Sequence, residues 1–250
     1  MGATEIVGFL AILGVPPDMP IGIAVDILRG IKDYLEDVGA SCIGGHTIFN
    51  PWPLSGGEVT AVAHPDQIVY QSGARGGDAL VLTKPLGTQP AMAVYRAMKD
   101  PVLSEEILKI LSRKEAEEIV EKALKLMTSP NKPVAESMQE VKPNAATDIT
   151  GFGLVGHARN MARGSGVDLE INCIPVIKGS IQVSELFGYG LEAGESAETS
   201  GGMLVAVPPD KLDAFISSLK KRGVTAYVIG NVKEGNGKVT ITPEAEVVEV

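Results

Sequence analysis

The chain has little cysteine, few aromatic residues and no excess of positive charge. Only two of its 250 residues are cysteine, Cys42 and Cys173, which lie far apart and match no metal-ligand spacing. Two cysteines cannot form the disulfide framework of a small secreted domain, so we expect a reducing, cytoplasmic compartment. The 22 basic residues are outnumbered by 31 acidic ones, giving a net charge of −9. This charge argues against binding to nucleic acid phosphates or to anionic membranes.

Long apolar runs and the common catalytic motifs are absent as well. No run reaches the roughly 18 to 20 apolar residues of a membrane span, and the first residues lack the basic start of a signal peptide. We find no Walker A loop, dinucleotide fingerprint, Ser-His-Asp set or zinc spacing. Any small-molecule site must therefore be built from less common segments.

What is present is typical of an α/β enzyme, with 44% hydrophobic residues and 29 glycines. Apolar residues at helical spacing predict a helix from Pro20 to Val38 that Gly39 ends. The apolar run Ile6 to Leu13 predicts a strand buried on both faces. A glycine-rich linker over residues 71–78 separates two predicted domains, 1–72 and 73–250, of α/β or α+β class.

Further elements follow from the same patterns. A capping box of Ser112 and Glu115 divides residues 104–127 into two helices. Other predicted helices cover residues 134–141, 151–163 and 210–222. Predicted strands cover residues 40–43, 59–64, 79–83, 168–172, 203–207, 225–229 and 238–242.

One candidate site is the segment Gly44-Gly45-His46-Thr47, which follows a predicted strand. Two glycines let a backbone approach a ligand, and exposed N–H groups in such a turn form an anion-binding nest. His46 and Thr47 add donors suited to phosphate oxygens. A tight turn with a solvated histidine explains the same residues, because glycine pairs are common at strand ends.

A second candidate is Thr147-Asp148, just before a helix predicted to begin near Gly151. A carboxylate there either caps the helix or holds Mg²⁺ against a nucleotide phosphate. His157, further along that helix, is expected to be a packing residue. Two weaker candidates are Thr199-Ser200-Gly201-Gly202 and Thr83-Lys84-Pro85-Leu86-Gly87; ordinary turn chemistry and a surface lysine explain them equally well.

Taken in order, these segments resemble those of the selenophosphate synthetase (selenide, water dikinase) family, in the aminoimidazole ribonucleotide synthetase-like superfamily. The matching segments span nearly the whole chain and cover residues 11–16, 44–48, 83–87, 147–157 and 199–202. The resemblance implies a two-domain α/β (α+β) fold with a partial N-terminal domain that pairs into a dimeric barrel. It also implies an ATP- and Mg²⁺-dependent reaction in which selenide and water give selenophosphate, AMP and phosphate.

The resemblance assigns roles by position. Asp148 would hold Mg²⁺, while Gly45, His46 and Thr47 would contact nucleotide phosphates, those bound by the opposite subunit of a homodimer. Family members carry a further stretch before the position that matches Met1, with the catalytic cysteine or selenocysteine, an essential lysine and Mg²⁺-binding aspartates. We therefore expect the nucleophile and that lysine to lie outside this chain, which would then be inactive alone.

One residue and one three-residue segment differ from the family pattern. Phe49 stands where an aspartate is common, and Ser196-Ala197-Glu198 stands where aspartate-proline-glutamine is usual. Three alternatives are open. In the first, the chain is a selenophosphate synthetase-like polypeptide that lacks its N-terminal catalytic segment, through truncation, a misplaced start or a gene split into two chains. The others are a non-catalytic dimerising or regulatory paralogue of a full-length partner, and another ATP-using enzyme of the superfamily.

Overall fold

A computed structural model describes all 250 residues. The chain forms two compact units, residues 2–68 and residues 69–250 with Met1. Helices and sheet alternate in both units, which confirms the predicted α/β class. None of the eight α-helices is both long and apolar enough to cross a membrane.

The N-terminal unit is a three-stranded sheet with one helix. Its elements are β1 (Glu5–Val15), α1 (Ile21–Asp37), β2 (Cys42–Phe49), β3 (Leu54–Val62) and a short 3-10 helix (Pro65–Gln67). The strand order is β2-β1-β3, with β2 parallel and β3 antiparallel to β1. Helix α1 agrees with its sequence prediction, and Gly39 follows it with a φ of +76°.

Only one face of this sheet is covered by the unit's own residues. Leu35 and Val38, from the end of α1, pack against Ile6 and Phe9 of β1. All residues of β2 and β3 are exposed, as is Ile12 of β1. The prediction that this first strand is buried on both faces is therefore wrong, because α1 covers only one side.

The C-terminal unit contains a six-stranded, mostly antiparallel sheet in the order β5-β7-β4-β8-β6-β9, with β6 and β9 parallel. Its strands are β4 (Ala79–Leu82), β5 (Ala145–Asp148), β6 (Val167–Val176), β7 (Met203–Val207), β8 (Tyr227–Glu234) and β9 (Val239–Glu249). Its helices are α2 (Thr88–Ala97), α3 (Pro101–Ile110), α4 (Arg113–Thr128), α5 (Lys132–Val141), α6 (Gly153–Ser165), α7 (Ser180–Phe187) and α8 (Leu212–Lys221).

Helices cover both faces of this sheet. Because side chains alternate along a strand, Leu80 and Leu82 of β4 pack in one cluster with α6, while Val81 packs in another with α5 and α8. A third cluster joins α2, α3, α4 and α7. The sheet is thus the centre of the larger core and holds the loops at its ends in fixed positions.

Several predicted elements are confirmed. The Ser112 hydroxyl accepts from the Glu115 N–H at 3.2 Å and the Glu115 carboxylate accepts from the Ser112 N–H at 2.8 Å, so the capping box separates α3 from α4. Strand β7 has the predicted bounds. Helices α2 and α7 and strand β5 were not predicted. Both helices begin at a glycine in the left-handed conformation with no side-chain cap, so the usual start signal is missing.

Candidate functional site

Three loops of the C-terminal unit meet at one end of its sheet. They are residues 83–87 after β4, residues 149–152 after β5, and residues 199–202 before β7. Strands β4 and β5 both run antiparallel to β7. The last residues of β4 and β5 therefore lie beside the first residue of β7, so the topology brings three of the sequence-predicted segments together.

Close backbone contacts hold these loops against each other. The Ile149 N–H donates to the Gly202 carbonyl at 2.9 Å, and the Met203 N–H donates to the Thr83 hydroxyl at 2.8 Å. A side chain at Gly201 would overlap the Ile149 carbonyl, and one at Gly202 would meet the Lys84 backbone nitrogen. The two glycines are thus required for loop packing, whatever a ligand adds.

Glu198 is a buried carboxylate that joins two of the loops. It accepts hydrogen bonds from the Gly87 N–H at 2.7 Å and from the Thr88 N–H at 3.0 Å, and a further one from the Thr88 hydroxyl. That hydroxyl in turn accepts from the Thr199 N–H at 3.0 Å. Glu198 therefore satisfies the free donors at the start of α2. Burial raises the pKa of this carboxyl, and the three donors oppose the rise.

Sequence reasoning noted Glu198 only as a departure from a family pattern and missed this role. The partners lie about 110 residues away in the chain, beyond the reach of local capping rules. The only local signal is the start of α2 itself, where Gly87 offers no side chain to cap the helix.

Lys84 is buried. The expectation of an ordinary surface lysine is therefore wrong. The Lys84 ammonium group donates to the carbonyls of Leu126, Ser129 and Ser200 at 2.8–2.9 Å. Burial lowers the pKa of Lys84 to about 8. The side chain uses all three donors to tie the end of α4 to the loop before β7, so it supplies positive charge but no free hydrogen bond.

Asp148 ends β5 and has no hydrogen-bond partner for its carboxylate. Helix α6 begins only at Gly153 and has no side-chain cap, so the prediction that Asp148 caps that helix is wrong. Instead, His157 accepts from the Thr150 N–H at 3.0 Å and contacts its hydroxyl. Burial lowers the pKa of His157, while the nearby Asp148 opposes this shift. Asp148 is left half-buried, with a carboxylate that makes no hydrogen bond.

Gly45, His46 and Thr47 lie in the N-terminal unit, on strand β2. The prediction that they form a turn with an anion-binding nest is wrong, because the strand continues through them and pairs with β1 from Phe9 to Val15. At Gly45, φ is +149° and a side chain would overlap the backbone of Ala11. His46 and Thr47 are exposed on an edge strand, where their donors are open to a ligand.

Two family models cover nearly the whole chain. The model for the N-terminal domain of AIR synthase related proteins matches residues 1–73, and the model for the C-terminal domain matches residues 75–242. A protein named Selenide, water dikinase from Methanococcus maripaludis is 40% identical over 258 aligned positions, which cover 100% of this chain and 76% of that protein. This chain belongs to the selenide, water dikinase family.

Relatives of this selenide, water dikinase family member extend to animals. Human Selenide, water dikinase 2 is 35% identical over 261 positions, covering 100% of this chain and 58% of the human protein. Solved structures share the fold at lower identity. Thiamine monophosphate kinase from Aquifex aeolicus matches with a TM-score of 0.74 and 20% identity over 100% of this chain and 77% of its own. Hydrogenase maturation protein HypE in complex with ATP matches with a TM-score of 0.77 and 16% identity, over 96% of this chain and 70% of its own.

The residues present fit Mg²⁺ only in part. No group of three or more His, Cys, Asp or Glu side chains is placed to hold a metal ion. Asp148 therefore offers a single carboxylate, and a Mg²⁺ ion there would take its other ligands from water and from substrate phosphates, as Mg²⁺ commonly does.

Proposed function

We propose that this chain takes part in the ATP- and Mg²⁺-dependent phosphorylation of selenide to selenophosphate. Its similarity to proteins named Selenide, water dikinase over its full length supports the reaction, and the ATP bound to HypE, a fold neighbour, supports the nucleotide. The two free cysteines fit a reducing cytoplasm.

The Asp148 carboxylate, which makes no hydrogen bond in the chain, is the observation that carries this proposal. Its oxygens are therefore available to a cation, and carboxylate oxygens are ligands that Mg²⁺ takes in proteins. When bound, Mg²⁺ neutralises the charge of the transferred phosphoryl group. We propose His46 and Thr47 as donors to nucleotide phosphates, which their exposure on the edge strand β2 supports, and Gly45 keeps that strand paired with β1.

We further propose that these 250 residues bind Mg-ATP but do not turn it over alone. Phosphoryl transfer needs several groups to neutralise and position the phosphates. Asp148 belongs to no cluster of three metal-binding side chains, so the chain supplies only part of such a site.

Anaerobic ³¹P NMR with ATP, Mg²⁺ and selenide tests this proposal. The chain alone should form neither selenophosphate nor AMP. A fusion that places the N-terminal segment of the Methanococcus maripaludis relative ahead of Met1 should form both. Selenide-dependent AMP formation by the chain alone would refute the inactivity, and an inactive fusion that still binds Mg-ATP would favour a regulatory paralogue.

The regulatory alternative rests on the uncovered face of the N-terminal sheet. Large apolar residues of β2 and β3 are exposed on the face that carries Ile12, including Ile48 at 47% and Leu54 at 50%. Such a patch is typical of an interface, and an unpaired edge strand also invites pairing. We propose that this face joins two copies of the chain, or this chain and a full-length paralogue.

A further inference from the structure

A cleft lies within the C-terminal unit, beside Lys84. Its volume is about 480 Å³, within the usual range for small-molecule pockets. The cleft is bounded by the end of β4, by the segment from the second half of α4 to the start of α5, and by the segment between α8 and β8. Its walls are partly apolar, with Pro85, Leu126, Pro133 and Val224 among them.

Every charged residue that lines this cleft is basic. They are Lys84, Lys122, Lys125 and Arg222, and no aspartate or glutamate is among the lining residues. A basic cleft is unexpected in a chain whose net charge is −9. Low-dielectric walls strengthen the attraction of such a cleft for an anion.

Two of these cations are uncommitted. Arg222 pairs with Glu136 and Glu140, and the Lys84 ammonium is enclosed by three carbonyls. Lys122 and Lys125, one helical turn apart on α4, form no ion pair or side-chain hydrogen bond in the structure. Their ammonium groups are therefore free to contact a ligand.

The cleft also contains an unsatisfied acceptor. The Asn131 side-chain oxygen is buried and has no hydrogen-bond partner. Its orientation is set by the amide nitrogen, which donates to the Gly201 carbonyl at 2.9 Å. Buried acceptors are rarely left unpaired. This oxygen has no exposed surface, so a ligand would reach it only after the Asn131 side chain turned towards the cleft, and an N–H or O–H donor on the ligand would favour that turn. A bare inorganic anion would leave it unsatisfied.

We propose that this cleft binds a small organic phosphate whose uncharged part carries an N–H or O–H donor, the class to which nucleoside monophosphates belong. Lys122 and Lys125 would contact the phosphate, the apolar walls would enclose the ring, and Asn131 would accept from the donor. The cleft shares Thr83, Lys84 and Pro85 with the candidate site but does not include Asp148. Lys84 and Asn131 also contact the loop before β7.

The test is a calorimetric titration of AMP, without Mg²⁺, into the full chain, repeated with inorganic phosphate and with adenosine. We expect AMP to bind at least tenfold more tightly than either fragment. The double variant K122E/K125E should weaken AMP binding by at least tenfold. The control K109E/K114E makes the same change in net charge at lysines outside the cleft, and it should leave binding unchanged.

NMR of the ¹⁵N-labelled chain locates the bound AMP. We expect its largest shift changes at the Asn131 side-chain amide and at residues 223–227, and we expect Asn131→Leu to weaken binding while circular dichroism shows an intact fold. Absence of binding at millimolar AMP, equal weakening by both charge variants, or shift changes confined to residues 44–49 would overturn the proposal. If inorganic phosphate bound as tightly as AMP, the claim that the cleft recognises the organic group of the ligand would be wrong.

Discussion

Glu198 accepts hydrogen bonds from both the backbone N–H and the hydroxyl of Thr88, the first residue of α2. The contact joins two loops that are 110 residues apart in the chain. Because the Thr88 hydroxyl also accepts from the Thr199 N–H, one carboxylate sets the position of the loop that precedes β7. The geometry beside Asp148 therefore depends on a residue that does no chemistry itself.

Replacing Glu198 should destabilise the C-terminal unit. In Glu198→Ala, the Gly87 and Thr88 donors lose their partner in a buried site, at a cost of about 2 to 4 kcal/mol. Glu198→Gln keeps one acceptor oxygen and should lose less. Urea unfolding followed by circular dichroism measures both. The exposed Glu192→Ala is the control, and equal losses for the Ala variants at 192 and 198 would contradict this role.

Lys84 should make stability depend on pH in the alkaline range. Its pKa is lowered by burial from 10.5 to about 8 in the folded chain. Between these two values the unfolded chain binds more protons than the folded chain, so stability should rise with pH across that window. The rise should be absent in Lys84→Met and present in the exposed-lysine control Lys114→Met. Urea unfolding at about pH 7.5 and about pH 9.5 tests this, and parallel behaviour of the wild type and Lys84→Met would exclude it.

Gly45 should be indispensable to the N-terminal sheet. Gly45→Ala would force a methyl group into the backbone of Ala11, separating β2 from β1 at a cost of about 2 kcal/mol or more. Gly56→Ala, on β3 in open space, is the matched control and should cost much less. Trp52 is the only tryptophan of the chain, so its fluorescence during urea unfolding reports on this unit. Similar midpoints for the two variants would show that the close approach is not needed.

The exposed face of the N-terminal sheet should hold two copies together. Ile48→Glu and Leu54→Glu place carboxylates on β2 and β3 opposite Gly14, on the face that also carries Ile12. Both residues are about half exposed, so the folded monomer should tolerate the substitutions. Light scattering at micromolar concentration should give a dimer for the wild type and a monomer for the double variant. A monomeric wild type would contradict the homodimer, and a dimer that survives both substitutions would place the interface elsewhere.

Local patterns predict the parts of this fold that local interactions determine. The helical period and Gly39 define α1, Ser112 and Glu115 define the break between α3 and α4, and an apolar run gives β7 its bounds. The strand through Gly45 could not be predicted, because pairing with β1 outweighs the poor strand propensity of glycine.

The candidate site was predicted in its segments but not in its contacts. The motifs identify the three loops and the family. They do not show that Lys84 is enclosed by carbonyls from the end of α4 and the loop before β7, or that Asp148 caps no helix. Such facts depend on contacts between residues far apart in the chain, which a single sequence does not reveal.

Calorimetric titration of Mg-ATP into the wild type and Asp148→Asn tests the proposed function most directly. The carboxylate makes no hydrogen bond in the chain, so the substitution should leave the unfolding midpoint unchanged. It should weaken Mg-ATP binding by about tenfold or more, through loss of one metal ligand, and should not affect ATP binding when EDTA removes Mg²⁺. A wild-type chain that does not bind Mg-ATP, or an Asp148→Asn variant that binds it equally well, would contradict the role assigned to this residue.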